Sequence, residues 1–156
     1  MVPNLHLLVL LCGAPRCRPE ASALVAAGWQ AYRQASIAVA RERFTRADQM
    51  CLHNLDAKIG LGFALYRQEQ LGSADSLFAI VARADSGNAD AWDGLTLTRW
   101  RRGDRSGALF AGRRALKLNP RSQGTAEILR RIDPDWDRPA PRPPIRPRTI
   151  RVDART

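Results

Sequence analysis

Apolar and small residues recur along the chain at helical spacing, in runs separated by short polar breaks. Leu24, Ala27, Gly28 and Ala31 form the first run, and Ala40, Phe44 and Ala47 resume it after a break near Ala35 and Ser36. Leu61, Gly62 and Leu65 are followed in the same way by Ala74, Phe78 and Val81, with a break between Gln70 and Gly72. In the third stretch Trp92 and Leu95 precede a Gly103-Asp104 turn, then come Ala108, Ala115 and Leu118, and Asn119-Pro120 ends the run. The pattern predicts helices over 22–34, 38–50, 55–68, 72–85, 89–102 and 106–118, paired as short antiparallel hairpins.

The hairpins are copies of one another. Stepping back by 34 residues takes Ala108 to Ala74 and Ala40, Trp100 to Tyr66 and Tyr32, and Arg101 to Arg67 and Arg33. Leu95 steps to Leu61 and Ala27, and Ala115 to Val81 and Ala47. A fixed period of this length marks stacked supersecondary units, so the chain divides into repeats at 21–54, 55–88 and 89–122. One hairpin leaves an apolar face bare, and three are about the minimum for stability. Phe44, Phe78 and Trp92 are read as packing between hairpins, and Gly or Ala as the lining of close helix crossings. A last helix, 122–132, with Ser122 as its cap and Ile128, Leu129 and Ile132 on one face, covers the end of the stack, and Trp136 folds back onto it.

These residues resemble the tetratricopeptide repeat family, whose motif carries a Trp, a Leu-Gly pair, a Tyr, then Ala, Phe or Tyr, Ala and a closing Pro. The third copy has Trp92, Leu95, Ala108, Ala115 and Pro120; the second has Leu61-Gly62, Ala74 and Phe78; the first has Gly28, Ala40, Phe44 and Ala47. Thr96 stands for the small glycine, Gly112 stands for the aromatic, and the first two copies lack the proline. The resemblance implies an all-α solenoid, a right-handed superhelix of three hairpins with a C-terminal capping helix. It also implies a concave groove lined by the first helix of each hairpin, here Trp29, Tyr32, Arg33, Phe63, Tyr66, Arg67, Leu97, Trp100 and Arg101. Some members grip a C-terminal carboxylate with lysine, asparagine and arginine; Val25, Trp29, Gly60, Asp90 and Gly94 stand at those sites, so that activity is not expected.

An aromatic ladder beside an arginine ladder suits an extended peptide with apolar anchors and carboxylates. The competing reading pairs Arg33 with Asp56 and Arg67 with Asp90, each 23 residues on, which leaves Arg101 unpaired because Gly124 occupies the next such position. Arg101, with Trp100 and Tyr66, is therefore the expected strong spot.

Charge and chemistry narrow the function. The formal net charge is +10, concentrated in 89–122, with seven arginines and one lysine against three aspartates, and in 140–156, with five arginines against one aspartate. Cys12, Cys17 and Cys51 are too few and scattered for a disulfide framework or a zinc site, and His6 and His53 offer no catalytic dyad. No metal, cofactor or small-molecule substrate is expected.

Leu5 to Leu11 is an apolar run before Cys-Gly-Ala-Pro, so residues 1–20 resemble a signal peptide lacking a basic start. Cys12 is also placed like a lipoprotein acceptor, although Leu11 departs from the small residue such signals carry. A signal would put the protein in the periplasm or cell envelope; without one it is cytoplasmic. Residues 133–156 read as a Pro- and Arg-rich linker or tail.

The leading reading is a non-catalytic scaffold with a protein or peptide partner. One alternative is the docking module of a longer exported enzyme that continues past the linker. The other is nucleic-acid or anionic-surface binding through the third repeat and tail, against which stand the export-like start and the acidic residues of the repeats.

Overall fold

The computed structural model describes residues 19–137. The signal-like segment, Cys12, Cys17 and the tail beyond Asp137 lie outside them. Seven helices follow one another: α1 (Pro19–Arg33), α2 (Ile37–Met50), α3 (Leu55–Arg67), α4 (Leu71–Ala84), α5 (Ala89–Arg101), α6 (Arg105–Leu118) and α7 (Gln123–Ile132). Each prediction lies within a residue or two of its helix, except that α1 begins three residues early at Pro19, a residue tolerated in a first helical turn.

The register governs the ends as well as the faces. Asn54 and Asn88, 34 apart, accept hydrogen bonds from the backbone amides of Ala57 and Ala91 and so start α3 and α5. Each hairpin turns through one left-handed residue at the same repeat position, Ala35 (φ 59°), Glu69 (φ 61°) and Gly103 (φ 81°). Only the third copy has the glycine that adopts this conformation without a Cβ penalty. The second hairpin therefore turns at Glu69, and Gly72 lies inside α4.

Consecutive helices pack together, and α1 also touches α3, α3 touches α5, and α5 touches α7. Odd-numbered helices thus form the inner wall of the stack. Phe44 and Phe78, both fully buried, are the wedges between its layers. A Cβ built on Gly28 or Gly60 would come within 2.7 Å or 2.3 Å of the Phe44 ring, and one on Gly62 or Gly94 within 2.8 Å or 2.5 Å of the Phe78 ring. Each phenylalanine is held between a glycine of its own inner helix and one of the next.

The third copy solves the same problem differently. Gly112 stands where Phe44 and Phe78 stand, and the space is taken by fully buried Leu129 of α7, whose methyl a Gly112 Cβ would meet at 2.1 Å. Thr96, in the glycine position, is buried and donates its hydroxyl to the Trp92 carbonyl at 2.8 Å. The two departures from the repeat pattern are thus a matched pair that seats the cap.

Two expectations are corrected. Ser122 starts α7 without a side-chain cap bond; its hydroxyl donates to Asp93 of α5, as does that of buried Thr125, which ties the cap to the stack. Cys51, buried after α2, is disulfide-bonded, a single bridge that the sequence reading of its cysteines did not foresee. Trp136 is partly buried just past the cap.

Candidate functional site: the inner wall

Each of α1, α3 and α5 contributes the same three positions to one face. Trp29, Phe63 and Leu97 are in register, as are Tyr32, Tyr66 and Trp100; all six are half-buried. Arg33, Arg67 and Arg101 are the last residues of α1, α3 and α5 and are exposed. All nine residues expected at the groove therefore lie on the inner helices.

Trp29, Tyr32 and Phe63 form a connected set of ring contacts. Trp29 meets Tyr32 at 5.7 Å and Phe63 at 6.1 Å between centroids, and Tyr32 meets Phe63 at 6.5 Å. Behind them Trp29 touches Phe44 at 5.1 Å and Phe63 touches Phe78 at 4.9 Å, so the wall is braced by the buried wedges. Edge-on contacts of this kind are favourable and fix ring orientation.

The arginines are staggered by one repeat against the rings. The Arg67 guanidinium carbon lies 5.9 Å from the centre of Tyr32, and that of Arg101 lies 5.4 Å from Tyr66. Trp100, at the end of the series, has no arginine over it among the described residues.

The ion pairs of the competing reading, Arg33 with Asp56 and Arg67 with Asp90, do not form, and Arg101 is not unpaired: its Nη2 lies 2.6 Å from Glu69 Oε1. The reason is geometric. Inner helices of successive repeats run parallel, so Asp56 and Asp90, near helix starts, sit at the opposite edge from arginines at helix ends. Asp56 and Arg67 are 11 positions apart, so that separation is roughly 16 Å at 1.5 Å per residue. Glu69 shares the arginine edge because the hairpin turn follows each inner helix directly.

The wall is consequently split by charge. The helix ends carry Arg33, Arg67 and Arg101, while the starts carry Asp56 and Asp90. Partial burial, then Asp93 and then Asp56, push the Asp90 carboxyl above its ordinary value. The acidic edge was missed in sequence, although Asp56 and Asp90 are themselves 34 apart and the register would have found them. Among the described residues no three His, Cys, Asp or Glu side chains are grouped to hold a metal ion, and no helix is long and apolar enough to cross a membrane.

This arrangement of stacked hairpins is the fold of tetratricopeptide-repeat domains. The first such domain of Spaghetti (RPAP3), bound to the HSP90 peptide SRMEEVD, superposes with a TM-score of 0.69 at 18% identity over 75% of this chain and 93% of that one. The Sgt2 domain from Aspergillus fumigatus gives 0.69 at 21% identity, covering 81% and 87%. The O-GlcNAc transferase of Thermobaculum terrenum gives 0.70 at 20% identity, covering 77% of this chain but 23% of that one. No protein-family model matches the sequence. No curated protein matches it either.

Proposed function

We propose that this chain is a protein-interaction scaffold that holds an extended segment of its partner along the inner wall. A structural neighbour of the same fold is bound to a peptide, which supports the general role. The single observation that carries the groove assignment is the staggered ladder. Among the described residues it leaves Trp100 as the ring of its series without an arginine over it, flanked by an arginine held in place by Tyr66 and Glu69.

Aromatic anchors and oriented guanidinium groups dominate binding energy where a ligand desolvates them. The charge split further suits a segment with carboxylates toward Arg33 and Arg67 and a cation toward Asp56 and Asp90. Selection of a displayed random-peptide library on the protein supplies the ligand for the test. Trp100→Ala should then weaken the selected peptides by at least about 1–2 kcal/mol with the melting temperature nearly unchanged, and Arg83→Ala should not. Equal losses from Trp100→Ala and Arg83→Ala would mean diffuse electrostatic attraction and end the groove assignment.

A second reading, a docking module of a longer enzyme, is supported by the transferase, 23% of which this chain matches. Export also remains a proposal, resting on the Leu5 to Leu11 run. Mass spectrometry of the native protein should find residues 1 to about 14 removed, and an intact amino terminus would count against it.

A further inference from the structure

Phe110 breaks the repeat on the outer face. The positions 34 residues before Leu109 and Phe110 hold Asp75 and Ser76, and those a further step back hold Arg41 and Glu42. Two repeats are thus polar where the third presents two large apolar residues. Phe110 is 54% exposed, and Leu118, two turns on along the same face, is 42% exposed. Trp92 abuts the Phe110 ring at 6.1 Å, and the Arg114 guanidinium lies over it at 5.8 Å. Ser106, Leu109, Phe110, Arg113, Arg114 and Lys117 line a shallow, open depression along this face of α6. Among the described residues Arg113 pairs with Asp133 at 3.6 Å.

We infer that this outer face of α6 is a second docking surface, for an acidic amphipathic segment of another protein. Leu109 and Phe110 receive its apolar anchors, and Arg113, Arg114 and Lys117 receive its carboxylates. Charge complementarity selects this occupant. A second copy of a chain with net charge +10 is repelled, and so is the chain's own tail, whose residues 140–156 carry five arginines against one aspartate.

The test uses the full chain and a fluorescein-labelled peptide with glutamates on one helical face and leucines on the other, read by fluorescence anisotropy. Saturable binding is expected, weakened about tenfold or more by Phe110→Ser and by Arg114→Glu and changed less than about twofold by Trp100→Ala. Arg114→Glu decides the matter should Phe110→Ser fail to fold. The inference is overturned if the wild-type protein does not bind the peptide, or if Trp100→Ala weakens it as much as the α6 changes. Equal binding of polyglutamate overturns it, as does tighter binding of phosphatidylglycerol vesicles or duplex DNA with the same sensitivity to Arg114→Glu.

Discussion

Phe78 concentrates the residue-scale energetics, because one ring fills the space between two glycine-lined helices. Phe78→Ala removes that wedge and should destabilise by about 3–5 kcal/mol in urea unfolding, the range for deleting a buried aromatic. Gly94→Ala attacks the same contact from the other side: its Cβ would sit 2.5 Å from the ring, and the ring has nowhere to go. A loss of about 1–3 kcal/mol is expected from such overpacking. A melting temperature within a degree or two of the parent for Phe78→Ala would refute the wedge. These positions were legible from spacing alone, since Gly62 and Phe78 fall at fixed points of the repeat. The partner of Arg101 was not, because Glu69 shares its edge through the hairpin turn and the helix-to-helix stagger.

Helix ends decide the element scale. The three hairpin turns need a left-handed residue, and two of them use residues with a Cβ, Ala35 and Glu69. Ala35→Gly should therefore stabilise by up to about 1 kcal/mol in thermal melts, whereas Gly103→Ala should destabilise by about as much. The opposite signs make the pair diagnostic. Asp104 starts α6 by accepting from the Gly107 amide at 2.8 Å, and this bond, then that from Ser106, hold its carboxyl below the ordinary value. Asp104→Ala should cost about 1 kcal/mol at neutral pH. Since the folded value is the depressed one, the carboxylate's contribution is present above the ordinary aspartate value. It is lost as pH falls through the depressed value, so the mutational difference should shrink in acid.

At the scale of the whole molecule, α7 is part of the stack and not an appendage. Leu129 occupies the place of the missing third phenylalanine, and Asp93 binds the Ser122 and Thr125 hydroxyls across the α5–α7 junction. Ending the chain after Asn119 would expose the Gly112 and Thr96 surface, and Leu129→Ala would leave a cavity there. The point substitution should cost about 2–5 kcal/mol, and the truncated protein should lose its cooperative thermal transition or melt far below the parent. Retention of the parental transition after truncation would mean the three hairpins stand alone.

The sequence by itself determined the helical hairpins, their count, their boundaries to within three residues and the identity of the inner-wall residues. A 34-residue register repeats the local code of cap, turn and apolar face, and each part of that code acts over a few residues. Only the tertiary structure decided what the departures mean. Gly112 and Thr96 look like lapses in a motif until Leu129 arrives from another helix. Arg101 looks unpaired until Glu69 is found at the same edge, and Asp56 looks like a partner for Arg33 until parallel inner helices carry the two to opposite edges. Those outcomes depend on how helices are stacked in space, which sequence separation does not encode.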